Sequence, residues 1–195
     1  TNVWIYLFSP FSTNSFGYQK FLSEAQNKNC KLFINSQIIS EYINVICRTA
    51  YENYARTYRL NKNNFKFKRD YQQTSDFSHY YQLACESVKN EILKYSEILP
   101  IKQSHIDSSL NDYDQMKDYN DLLYTKMLTS DIKIVSHDRD FGNHPEDTIK
   151  KPHTRHRQTL SVRKTCIRNN RSKGRFLVPI LPRNEVKRNL DREIK

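Results

Sequence analysis

Glycine is nearly absent, with three residues in 195. A loop that cradles phosphate against a helix start needs several glycines at fixed spacing, so that class of nucleotide site is excluded. Long apolar runs are missing as well. No stretch approaches the roughly 20 residues of a membrane-spanning helix, and no signal-peptide pattern occurs. A cytoplasmic chain without a membrane partner is therefore expected. Cys30, Cys47, Cys85 and Cys166 lack both the close pairs of a zinc site and the density of a disulfide scaffold. Reduced, mostly buried thiols are the expectation. The initiating Met is missing too: the apolar run Val3–Phe8 follows almost directly on Thr1, and a truncated start is expected.

The chain does have positive charge and aromatic rings, and they are unevenly spread. The formal net charge is +11, with thirteen Tyr and ten Phe. Residues 1–141 hold 17 Lys/Arg against 16 Asp/Glu, whereas residues 142–195 hold 15 against 5. All the Tyr precede residue 141, and nine of the fourteen Arg follow it. This change of composition places a boundary near Gly142, separating one domain from a basic extension.

Within the body, apolar periodicity alternates between strand and helix. Lys31–Ile34 has strand character. Asn35 or Ser36 is placed to cap a helix running to near Tyr54, with Ile38, Ile39, Tyr42, Ile43 and Ile46 on one side. A polar turn at Asn61–Asn64 and a long helical stretch from Asp76 to Ile98 follow, stopped by Pro100. A helix over Asp112–Ser130 and a strand over Ile132–Ser136 come next. Such alternation predicts an α/β sandwich around a mainly parallel sheet, in which ligands bind beyond the carboxyl ends of the strands.

Acidic residues recur where that geometry could use them. Glu41 interrupts an apolar helix face; Asp118 and Asp121 share a helix face near its start; Asp138 and Asp140 follow a strand. Carboxylates drawn together repel unless a cation neutralises them, and an all-oxygen set suits Mg²⁺ or Mn²⁺. Each acid also has a plain role open to it. The helix dipole favours Asp118 and Asp121, a turn suits Asp138 and Asp140, and Glu41 could face solvent.

The segments "TNVWIYLF", "FINSQIISEYINVICR" and "KDYNDLLYTKMLTSDIKIVSHDRDF", in that order, resemble the PIN domain, especially the VapC-like toxin nucleases, over most of residues 1–141. The resemblance implies a three-layer α/β/α sandwich and a metal-dependent endoribonuclease using Mg²⁺ or Mn²⁺. Glu41, Asp121 and Asp138 would then be the catalytic acids, with Asp118 and Asp140 also in the metal set. Asn2 and Ser136 would support the site. RNA as substrate, a protein antitoxin and a homodimer are implied as partners. The family's first strand and first aspartate would sit immediately before Thr1. Without them, the sheet is expected to be incomplete at its N-terminal strand and the nuclease inactive or weak.

The region 142–195 allows three interpretations: a phosphate-binding extension, a disordered basic tail, or sequence from a shifted reading frame. A disordered or non-native extension is preferred, narrowly over RNA binding. If the tail does bind RNA, Lys150, Lys151, Arg155, Arg157, Arg163 and Lys164 are the candidate contacts, and the chain could be a non-catalytic RNA-binding remnant. His144, His153 and His156 lie among cations, which argues against a metal site there. The apolar "FLVPIL" at 176–181 is expected to make a poor interior strand because of Pro179.

Overall fold

The computed structural model describes residues 2–15, 17–112, 118–129 and 131–135, together with the backbone of Thr148–Ile149 and Arg175–Leu177. In chain order these form α1 (Asn2–Phe8), α2 (Tyr18–Asn27), β1 (Lys31–Ile34), α3 (Ser36–Thr57) and α4 (Ser75–Ser87). A π-helical turn (Val88–Ile92) then leads into α5 (Leu93–Tyr95), β2 (Ser96–Ile98), α6 (Gln103–Asn111) and α7 (Tyr119–Lys126). Three strands complete the set: β3 (Ile132–Val135), β4 (Thr148–Ile149) and β5 (Arg175–Leu177). The architecture is mixed α/β with a small parallel sheet, as the alternating pattern predicts.

The sheet runs β2-β1-β5-β3-β4, and each neighbouring pair is parallel. β1 has both edges paired: Leu32 lies opposite Ser96 of β2 on one side and Phe176 of β5 on the other. Leu32, Phe33 and Ile34 are all buried, the continuous apolar pattern of a strand covered on both faces. Where the sequence predicts a missing strand, β5 holds the interior position between β1 and β3. Without it, the facing edges of β1 and β3 would be left with unpaired backbone groups. The expectation of a poor interior strand is corrected here for Phe176 and Leu177, which pair on both sides within β5; Pro179 lies outside the described residues. Two short pieces of 142–195 thus pair in the sheet; the remainder lies outside the described residues.

Helix α3 follows its sequence closely. Asn35 accepts from the N–H of Ile38 at 3.0 Å through its side-chain oxygen, and Ile38, Tyr42, Ile46 and Ala50 bury one face. The helix closes with Arg59 at φ 52, while the N–H of Leu60 donates to the carbonyl of Ala55 at 2.8 Å. This is the six-to-one bond of a left-handed helix stop, formed here without glycine. Thr74 caps α4 by accepting from the N–H of Phe77 at 3.1 Å.

Three expectations need correction. The helix predicted to reach Ile98 ends at Tyr95, because Ser96–Ile98 pairs with the outer edge of β1. The N–H of Leu99 extends that ladder by donating to the carbonyl of Ile34 at 2.8 Å, and Lys31 pairs with Glu97 at 2.7 Å. The helix predicted over Asp112–Ser130 begins after Asp118; Asp112 instead closes α6 and ion-pairs with Lys126. Among the described residues Cys30, Cys47 and Cys85 are free, as expected, but only Cys47 is fully buried while Cys30 and Cys85 are half-buried; Cys166 lies outside the described residues. Among the described residues no helix is long and apolar enough to cross a membrane.

The core joins both faces of the sheet to α1, α2, α3 and the π turn through Trp4, Phe21, Ile34, Ile38, Tyr42, Ile92 and Ile134. A second cluster around Cys47, Tyr51, Phe67 and Tyr71 packs the far half of α3 against the start of α4. Asn35 is only 1% exposed where β1 passes into α3, and its amide also reaches Sδ of Met127 at 3.8 Å. Asn35→Ala should cost about 2 kcal/mol, since it removes a cap and leaves a buried N–H unsatisfied. The thermal midpoint should fall by about 4–8 °C, and Asn35→Ser, which keeps a capping oxygen, should recover about half of the loss. Urea and thermal unfolding of the two variants measure both effects.

Candidate functional site

The sheet topology marks a place for a site before any side chain is considered. The chain moves outward from β1 to β2 on one side of β5, and from β3 to β4 on the other. The winding therefore reverses between β1 and β3, and in parallel sheets the crevice at the strands' carboxyl ends opens at such a reversal. Helix α3 leaves the carboxyl end of β1 at Asn35, and Glu41 lies in its second turn. The carboxyl end of β3 is Val135, directly before Ser136.

Helix α7 supplies the other described acids. Asp118 is its N-cap, accepting from the N–H of Asn120 at 2.8 Å, so the plain capping role open to it in the sequence is realised. That bond uses Oδ1 and leaves the second oxygen exposed to other use. Asp121 is a different case: it is 5% exposed, at the head of the buried run Leu122, Leu123 and Tyr124. An acid so deeply withdrawn from water must be compensated or displaced in pKa, and Asp121, like Glu41, does engage a neighbour.

Tyr124 joins the two helices. Its side chain is fully buried, and its hydroxyl has no hydrogen-bond partner among the described residues. Burial pushes its ionisation far above the ordinary tyrosine range, and the carboxylates of Glu41, Asp121 and Asp118 push it further, in that order. The fields of three acids from α3 and α7 thus converge on one phenol. The contact of Asn35 with Met127 ties the start of α3 to the end of α7 and holds this arrangement.

Glu41 and Asp121 are visible as candidates in the sequence, whereas Tyr124 is not. Its signal was the spacing: Tyr124 stands one turn beyond Asp121, on the same helix face. Asn2, proposed as a supporting residue, is 2% exposed, and its side-chain nitrogen lacks a partner among the described residues. Ser136, Asp138 and Asp140 lie outside the described residues. So do Lys150, Lys151, Arg155, Arg157, Arg163 and Lys164 of the tail, and His144, His153 and His156. Among the described residues, no group of three His, Cys, Asp or Glu side chains is placed to hold a metal ion. Glu41, Asp118 and Asp121 are all carboxylates, the donor type that suits Mg²⁺ or Mn²⁺.

Several buried groups share the displacement of Tyr124. Burial raises the ionisation of Tyr18 and Tyr71 as well, takes Tyr42 up to about 12 and Cys47 up to about 11. In each case the folded state favours the neutral form, so its contribution to stability is complete below the unfolded pKa and is lost as pH rises through the folded value. Unfolded tyrosine ionises near pH 10 and cysteine near 8.5. The urea midpoint should therefore stay flat to about pH 8, then fall progressively to beyond about pH 12. Tyr124→Phe should remove part of that fall and leave stability at neutral pH equal or higher, since the lost hydroxyl has no described partner. Denaturation curves across the alkaline range measure both.

No family model, curated protein or solved structure matches the chain.

Proposed function

We propose that this protein is a metal-dependent endoribonuclease of the PIN type, with its site between the start of α3 and the start of α7. One observation carries the proposal: Asp121 is an acid only 5% exposed at the head of an apolar helical run, where a carboxylate kept for solubility would not sit. The charges of Glu41, Asp121 and Asp118 all act on the neighbouring phenol of Tyr124 in the same direction. The reversal of winding between β1 and β3 supports the same location. The order of the acids along the chain supports it also, in the resemblance of residues 1–141 to the PIN sandwich and its toxin members.

In this proposal Glu41 and Asp121 hold Mg²⁺ or Mn²⁺, and the free oxygen of Asp118 assists directly or through water. Asp138 and Asp140, which follow β3 in the sequence, complete the set, with Asn2 and Ser136 as supporting groups. A bound divalent ion supplies Lewis acidity toward the phosphate and lowers the pKa of a coordinated water. The protein's own part is to hold the carboxylates ionised against one another and to keep the Tyr124 phenol neutral as a donor. A protein antitoxin and a second copy of the chain are the proposed partners, with the cytoplasm as the compartment.

Two measurements test this. Millimolar Mn²⁺ should raise the thermal midpoint of the wild-type chain, because a ligand that binds only the folded state stabilises it by mass action. Glu41→Gln and Asp121→Asn should each abolish that gain. Cleavage of single-stranded RNA, run on this chain and on one extended upstream by a strand ending in Asp, should need Mn²⁺. Asp121→Asn should lower the rate by more than the roughly 10–100-fold that loss of an outer-shell partner costs. If neither chain cleaves and Mn²⁺ shifts no midpoint, the proposal fails. RNA binding lost on removing 142–195 would then favour a non-catalytic RNA-binding remnant.

A further inference from the structure

The positive charge of residues 1–141 is concentrated in one place. Between residues 56 and 70 there are six Lys/Arg and one acid, whereas the rest of 1–141 holds 11 Lys/Arg against 15 Asp/Glu. This segment is the end of α3 and the turn that follows it. Arg56, Arg59, Lys62, Lys66, Lys68 and Arg69 are all exposed. A run of cations is ordinarily a solvated surface, so further observations must decide whether this one is a site.

The first is how the local anions are used. Glu52 is taken by Lys62, and Asp70 by Arg69, at 2.9 Å through each of two guanidinium nitrogens. Arg56, Arg59 and Lys68 form no ion pair among the described residues. The ammonium of Lys66 donates only to a neutral carbonyl, that of Lys62, at 3.1 Å. Four cations therefore face water with their charge uncompensated by an ion pair.

The second is that the backbone presenting them is braced. Asp70 accepts from the N–H of Lys66 at 2.6 Å, and Arg69 bonds the carbonyl of Asn64. The hydroxyl of Tyr51 donates to the carbonyl of Phe65 at 2.7 Å. Phe67 is buried beneath the guanidinium of Arg48, which lies 4.2 Å from its ring centre. A preorganised turn loses little entropy when a ligand binds.

The third is Tyr58, which is 62% exposed while its ring lies tilted at 46° against that of Tyr54, at 4.6 Å between centres. A ring anchored by a neighbour and open to water is a stacking platform, and every nucleobase has a π face to place on it. Neither a membrane surface nor an acidic protein explains that platform as well. The fourth is Arg59, which sits at φ 52 where a helix stop favours glycine. Holding a side chain in the left-handed region is unfavourable, and here it places a cation at the corner.

We infer that the turn after α3, with Tyr58 at its centre, docks single-stranded nucleic acid by phosphate contacts and base stacking. The surface lies about 22 Å along α3 from Glu41. Binding there does not depend on whether the acids cleave RNA. Should they do so, the same surface would hold substrate away from the cut.

The test is fluorescence anisotropy of a labelled single-stranded oligouridylate with the full chain in EDTA, so that cleavage plays no part. A triple variant, Arg56→Ala with Arg59→Gly and Lys68→Ala, should bind at least ten times more weakly. Its slope of log affinity against log salt should be shallower by about 2, at roughly 0.7 per lost phosphate contact. Tyr58→Ala should lose about fivefold or more, and ultraviolet cross-linking should join the RNA to Tyr58. Arg59→Gly alone should lower affinity while raising the thermal midpoint by about 2–4 °C, opposite directions that misfolding cannot produce. Wild-type affinity in the triple variant overturns the proposal, whether or not Lys150→Ala, Arg155→Ala and Arg163→Ala in the tail reduce it. So does a triple variant that loses binding to phosphatidylserine vesicles but keeps its RNA affinity.

Discussion

Asn35 is the constraint from which the rest of the arrangement follows. It ends β1, caps α3 and reaches across to Met127 at the end of α7, all from a position nearly closed to water. The contact with sulfur is weak, and the cap contributes on the order of 1 kcal/mol. Its importance is geometric. The cap fixes where α3 begins and hence which residue stands on this side of its second turn, and that residue is Glu41. A slip of one residue would turn Glu41 by about 100° around the helix and withdraw its charge from Tyr124.

Burial and electrostatics oppose one another around Tyr124. Leu122, Leu123 and Tyr124 are all buried, and their burial favours drawing α7 inward. That movement also carries Asp121 out of water, which raises the cost of its charge. The fold accepts that cost rather than replacing Asp121 with an apolar residue of similar volume, which in other buried sites is often neutral or stabilising. A carboxylate retained at 5% exposure is what the proposed binding function predicts. The second aromatic cluster, Cys47, Ala50, Tyr51, Phe67 and Tyr71, lies apart from this site, between α3 and α4. It stiffens the arm formed by α3 and α4.

The parts of the fold that were legible in the sequence are those whose local signals agree with their tertiary setting. β1 and α3 read directly, because a short apolar run, a capping Asn and the spacing of Ile38, Tyr42 and Ile46 all say the same thing. β2 did not, because Val88, Ile92 and Tyr95 continue a helical spacing up to the residue where the open edge of β1 takes over. Tertiary hydrogen bonding there outweighs a weak local preference. α6 went unread since Ile106 and Leu110 are its only large apolar residues, and Leu110 is 60% exposed. α2 also went unread, although Tyr18, Phe21, Leu22 and Ala25 recur at helical spacing and are all buried. β5 was obscured by its basic surroundings, since nothing local indicates that Arg175–Leu177 enters between β1 and β3. At the site, Glu41 and Asp121 were visible as charges breaking apolar runs. Tyr124 was not, because a tyrosine in an apolar run looks like core until the unpaired hydroxyl is seen.

Helix α3 brings these features into one mechanical element. Its first turn is held by Asn35, its second carries Glu41, its later turns hold Tyr51 and Tyr54 in the aromatic cluster, and its end presents Arg56 and Tyr58. A helix of 22 residues spans about 33 Å and bends only gently when packed along its length. The distance between the acids near its start and the cations at its end is therefore fixed by the helix itself. The two regions also carry opposite sign, so an extended polyanion is repelled from the carboxylates unless a cation masks them, while the turn after α3 attracts it unaided. Under the function and docking surface proposed above, charge alone would set an order of engagement: a nucleic-acid strand would be held first at the basic turn, and its approach to Glu41 and Asp121 would depend on a divalent ion.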